Sequence, residues 1–135
     1  MPYVYGKVDS LEGTEKVGTH QCAVLVQYYA KVPKMKFWKA GDLVKGDNKI
    51  KKGTAIATFV NGEYPPATGK HHGHGHAAFY MSQDDTGIEV MDQWVDDATK
   101  PQVSSRRMAF KGKDSKSNFR DISNNADALY VIEQK

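Results

Sequence analysis

Between Cys22 and Tyr29 the apolar positions Cys22, Leu25, Val26 and Tyr29 recur at i, i+3, i+4 and i+7, while Gln27 and Lys31 take the opposite side. That spacing predicts an amphipathic helix with one buried face. Thr19 is its predicted N-cap, with the hydroxyl accepting from a free N–H of the first turn. Pro33 disfavours helical geometry at Val32, so the helix should stop near Lys31 or Val32. The stretch KFWKAGDLVKGDNKIKKGT that follows reads as turns and short extended pieces. From there the pattern becomes strand-like. TAIATFV (54–60) is closed by the turn pair Asn61-Gly62, and Pro65-Pro66 forces a loop. HAAFYMSQ (76–83) and GIEVMDQW (87–94) flank DDT as a hairpin, and VSSRRMAF (103–110) and LYVIEQ (129–134) supply two more strands. One helix near the front followed by antiparallel strands defines an α+β class, with the helix packed on the sheet.

Composition sets the bounds around that pattern. A chain of 135 residues, 39% hydrophobic and 26% charged, is expected to form one soluble globular domain over 1–135. No apolar run approaches the roughly 20 residues of a membrane helix, so membrane insertion is not expected. The opening MPYVYGKVDS lacks the basic and apolar regions of a signal peptide. The net charge of +3 comes from 19 basic and 16 acidic residues spread along the chain, without the dense basic stripe of a nucleic-acid binder. A mildly basic surface does suit an anionic polymer such as a cell wall. The single cysteine excludes an intramolecular disulfide and any CxxC metal or redox motif.

That cysteine, Cys22, falls in the first turn of the predicted helix. Unpaired N–H groups and the positive end of the helix dipole favour a thiolate there, the species that attacks carbonyl carbon. The same N–H groups can stabilise an oxyanion. A small buried hydrophobe fits the same position. Four of the five histidines, His71, His72, His74 and His76, crowd into KHHGHGHAAFY. Only His76 lies flush against a strand that can hold its ring still, which makes it the candidate general base. His72 and His74, with His71, form a rival metal site, or else a solvated loop. If residues 82 and 86 pair around a three-residue loop, His76 faces Asp92, Ala78 faces Val90 and Tyr80 faces Ile88. Asp92 then comes within reach of the imidazole to fix its tautomer. A slip of one residue puts Gln93 there instead.

Cys22 at a helix start, His76 opening a strand and a polar residue ending the next strand together resemble the NlpC/P60 and CHAP cysteine peptidases, papain-like amidases of bacterial cell walls. GTHQCAVLVQYY, GTAIATFVNGEYP, HGHAAFYMSQ and GIEVMDQW are similar, more narrowly, to the type VI secretion amidase effectors, small toxins injected into the periplasm of rival bacteria. GIEVMDQW is similar to the CHAP strand carrying Glu, then Gln, then Asn. Asp92, Gln93 and Trp94 stand at those places, so the acidic role maps onto Asp92 and the Asn is missing. The resemblance implies a papain-like NlpC/P60 fold and amide hydrolysis in peptidoglycan stem peptides, at the D-alanine to meso-diaminopimelate crosslink. It further implies a cognate immunity protein, delivery by the type VI secretion machinery, and no metal or other cofactor. In that scheme Cys22 is the nucleophile and His76 the base. Gln21 and His20 flank the nucleophile and are candidates for shaping the oxyanion hole, and Trp38, Tyr64 and Trp94 are candidates for lining a cleft. The order Cys, His, Asp argues against permuted relatives acting on lipids. Two rival readings stand beside this one: a cytosolic cysteine hydrolase or deamidase acting on a protein, and a noncatalytic His-rich module that binds metal or wall.

Overall fold

The computed structural model describes residues 2–65, 75–95 and 97–135. One α-helix, α1 (Cys22–Ala30), precedes six strands: β1 (Trp38–Leu43), β2 (Ala55–Thr58), β3 (Ala77–Gln83), β4 (Gly87–Asp92), β5 (Ser104–Ala109) and β6 (Leu129–Gln134). They form a single antiparallel sheet in the order β1-β6-β2-β3-β4-β5. Each strand foreseen from the alternation is present. β1 is an addition: WKAGDL mixes Gly and Asp into a strand buried only at its start, and such an edge carries no clean period of two.

Alternation along the central strands builds two apolar layers. Ala55, Ala57, Ala77, Phe79, Met91 and Ile132 face α1, which contributes Ala23, Leu25 and Val26. Ile56, Ala78, Tyr80, Ile88, Val90, Leu129 and Val131 point the other way, covered by Val44, Met108 and Ala126. Small side chains at Ala55, Ala57 and Ala77 let α1 lie close over β3. The helix is therefore fixed against the strand that follows His76.

Helix and hairpin both depart from expectation in detail. The helix starts at Cys22, with Gln21 rather than Thr19 at the cap position and no side-chain cap bond. Thr19 lies in a turn set by positive φ at Gly18 and His20, too early to serve the first helical N–H groups. At the other end Lys31 is left-handed and closes the helix two residues before Pro33, as the proline predicts. In the hairpin Phe79 pairs with Met91 and Tyr80 with Val90, a register two residues away from the predicted one. The cause is the turn. Asp84 accepts from Thr86 N (2.8 Å) and Gly87 N (3.2 Å), which tightens the connection and moves the pairing by three residues, and an irregularity between Tyr80 and Ser82 takes one of them back.

Leu25 has no exposed surface under the sheet. Leu25→Ala should lower stability by about 2–5 kcal/mol, read as a fall in the urea midpoint at unchanged slope.

Candidate active site

Two consecutive residues at the end of β4 organise the site by pointing in opposite directions. Gln93 continues the side of Met91 toward α1. Its Oε1 accepts from Val17 N (3.0 Å), and its Nε2 donates to Val17 O (3.2 Å) and Gln21 O (2.9 Å). This buried amide ties down the segment leading into Cys22 and faces that backbone rather than the cleft. Asp92 continues the side of Val90, is 0% exposed, and its Oδ2 lies 2.7 Å from His76 Nε2. The strand end thus grips the approach to the thiol with one side chain and the imidazole with the next.

His76 is held from its backbone as well, its N–H donating to Thr58 Oγ1 at 2.9 Å and its carbonyl accepting from Thr58 N at 2.9 Å. With Nε2 on Asp92, Nδ1 is the ring nitrogen left for the thiol, and the Cys22 side chain and the His76 ring each shift the other's titration. Cys22 also meets the Ala77 backbone and lies 3.7 Å from the Tyr64 hydroxyl. Gly75 permits that last contact, because a Cβ there would stand 2.8 Å from the Tyr64 ring. Tyr64 in turn packs edge-on against Trp38, whose Nε1 donates to Pro33 O at 2.8 Å.

The protonation states follow from these contacts. Burial works against a charged Cys22, but the hydrogen bond and charge of His76, with smaller help from Ala77 and Tyr64, bring the thiol down to about 7. Burial also disfavours a charged His76, yet the bond to Asp92 and the bond and charge of Cys22 lift the ring to about 9. Asp92 is pushed upward by burial, and His76, Arg106 and Lys100 outweigh this and hold it well below the usual carboxylate range. Burial and the neighbouring sulfur keep Tyr64 protonated far above its ordinary range. Between about pH 7 and 9 the pair therefore stands as thiolate and imidazolium, titrating as one unit.

Of the remaining candidates, Gln21, Trp38, Tyr64 and Trp94 line, with Cys22 and His76, a cleft of about 950 Å³. Trp94 sits edge-on to the His76 ring at 6.3 Å. His71, His72 and His74 lie outside the described residues. Two partners went unseen in the sequence. Lys100 Nζ is 2.6 Å from Asp92 Oδ1, and Arg106 Nε is 2.7 Å from Asp92 Oδ2. Arg106 pairs with Val90 and reaches Asp92 diagonally, a placement visible only once β5 is laid beside β4.

A cysteine at a helix start, a strand-borne histidine bonded to it and a buried carboxylate behind the ring, on an α+β scaffold, are the layout of a papain-like thiol hydrolase. The chain belongs to the domesticated amidase effector 2 family, whose model matches residues 5–132. It is 47% identical over 137 residues to the type VI secretion amidase effector 2 protein of Salmonella typhi, covering 98% of this chain and all of that one. The solved structure of a type 6 secretion amidase effector 2 (Tae2) superposes with a TM-score of 0.87 at 43% identity, over 98% of this chain and 95% of the other.

Iodoacetamide should alkylate Cys22 with a midpoint near pH 7 in the wild type. In His76→Ala the midpoint should move toward or above that of a free thiol, about 8.5. Mass spectrometry of the single cysteine across a pH series checks this.

Proposed function

We propose that this protein is a peptidoglycan amidase that hydrolyses stem-peptide crosslinks, at the bond between D-alanine and meso-diaminopimelate. On this reading it is a type VI secretion effector acting in the periplasm of target bacteria and neutralised by a cognate immunity protein. The observation that carries the chemistry is the His76 ring, held through Nε2 by Asp92 at 2.7 Å and coupled to the Cys22 thiol, whose pKa it lowers. The relatives are named as amidase effectors of type VI secretion, and the resemblance to cell-wall amidases points to peptidoglycan as the amide substrate.

In this mechanism the Cys22 thiolate attacks the D-alanyl carbonyl carbon. The resulting oxyanion is met by the Cys22 N–H at the start of α1, which has no intrahelical acceptor, with Gln21 and the protonated Tyr64 hydroxyl as further donors. Collapse of the tetrahedral intermediate breaks the C–N bond, and the His76 imidazolium gives its proton to the departing diaminopimelate amine. His76, now neutral, takes a proton from water as that water attacks the thioester, which releases the D-alanine carboxylate and restores the ion pair. Asp92 keeps the ring in the orientation that serves the sulfur. Trp38 and Trp94 offer apolar walls for the peptide, and Lys36 and Lys135 offer cations for its carboxylates.

Purified sacculi separate this reading from its rivals. Wild-type protein should convert crosslinked dimers to monomers whose masses report cleavage on the carbonyl side of D-alanine, and Cys22→Ala should leave the dimers intact. Dimers untouched by both preparations would refute wall hydrolysis, and fragments cut after D-glutamate would refute the bond assignment. The pH dependence of kcat/KM should be a bell, rising through about 7 as the thiolate forms and falling through about 9 as the imidazolium is lost. Asp92→Asn should cost about 10²–10⁴-fold in kcat.

A further inference from the structure

Asp92 carries more positive charge than it needs. Lys100 donates to its Oδ1 at 2.6 Å and to Ser104 O at 2.9 Å, and Arg106 donates from Nε to its Oδ2 at 2.7 Å and from Nη1 to Asn124 Oδ1 at 3.0 Å. One buried carboxylate therefore answers two fixed cations as well as His76. Lys100 is 4% exposed. Neither cation is there for packing alone. Burying an ammonium carries a desolvation penalty that an apolar residue of similar length avoids. Arg106 Nη2 is buried and finds no acceptor among the described residues. Both cations also lie against one face-forming ring, Lys100 Nζ at 4.8 Å and Arg106 Cζ at 5.1 Å from the centroid of Trp94, the ring that meets His76 edge-on. The cleft-lining set contains Arg106 but not Lys100.

We propose that Lys100 is a positioning residue for the amide hydrolysis inferred above: from behind Asp92 it aims the carboxylate at His76 and offsets its charge, so that the imidazolium forms yet still surrenders its proton to the leaving amine. The inference rests on the catalytic reading of Cys22, His76 and Asp92. A carboxylate with no second counterion would hold the proton on His76 more tightly and make it a weaker acid. One clamped by two cations does not. The titratable and charged groups around the ring fit this division. Cys22 comes from α1, Tyr64 from the segment after β2 and Asp92 from β4, with Lys100 and Arg106 behind Asp92. Asp121 faces Arg106 from beyond.

The test uses Lys100→Met, which keeps the aliphatic stem and removes the charge, and Lys100→Arg, which keeps the charge. Arg106 leaves Asp92 one counterion in either variant, and Arg106→Gln provides a second removal of one cation should Lys100→Met not fold. The pH at which the His76 ring loses its proton, read as a midpoint from its ring ¹⁵N shifts, needs no substrate. In Lys100→Met, and in the same direction in Arg106→Gln, it should rise above the wild-type value of about 9 by about half a pH unit or more, because the carboxylate, short of one cation, holds that proton more tightly. Lys100→Arg should keep the wild-type midpoint. In hydrolysis of crosslinked dimers, Lys100→Met should lose kcat about tenfold with KM little changed, the mark of an interaction that acts on the chemical step. A midpoint that stays put or falls in Lys100→Met, or one that rises as far in Lys100→Arg, overturns the inference and leaves the catalytic reading standing. A wild-type ring already neutral at pH 8 overturns both.

Discussion

Asp92 is a carboxylate with no exposed surface, and taking such a charge out of water costs several kcal/mol unless cations and hydrogen bonds compensate. Its partners come from three stretches of chain: His76 just before β3, Lys100 in the turn after β4, and Arg106 on β5. The carboxylate is stable only when β3, β4 and β5 lie side by side in one register. Its ionisation and the assembly of that edge of the sheet are one event. The same charge then stabilises the imidazolium, which stabilises the thiolate, so the polarity of the site is set from its least accessible member outward.

The nucleophile depends on the neighbouring residue of the same strand. A helix that starts at Cys22 without a side-chain cap needs another hold on the chain entering it, and Gln93 provides one through three bonds to Val17 and Gln21. The left-handed backbone at Gly18 and His20 turns the chain into that position. Because side chains alternate along a strand, Asp92 and Gln93 reach opposite faces and secure the base and the nucleophile independently. The thiol and the ring meet because the same strand end governs both.

Much of this was legible in the sequence, for reasons that also mark where legibility ended. The apolar spacing from Cys22 to Tyr29 and the alternation in the later strands report burial, so helix and strands could be placed. β1 at the sheet edge, buried only at Trp38, could not. The hairpin register was misplaced by two residues, and Asp92 still meets His76, since a shift of two preserves the face and leaves the pair as diagonal neighbours. Trp94, two residues beyond Asp92, sets its ring edge-on to His76. Lys100 and Arg106 were invisible for a different reason. Lys and Arg read as solvated surface, and only the pairing of β4 with β5 and the fold of the turn after Asp92 turn them inward onto a buried charge. Gln93, weighed as a substitute for Asp92, belongs to the other face altogether.

The account stands on His76 being a cation beside a thiolate at the pH where an unperturbed histidine is neutral. Ring ¹⁵N chemical shifts of His76, followed from pH 6 to pH 10, measure this directly. Both nitrogens should carry protons at pH 8 in the wild type, with the ring losing one near pH 9, and substitution of Cys22 by Ala should bring that transition down. A ring already neutral at pH 8 in the wild type, unaffected by loss of the sulfur, would contradict the ion pair and the mechanism built on it.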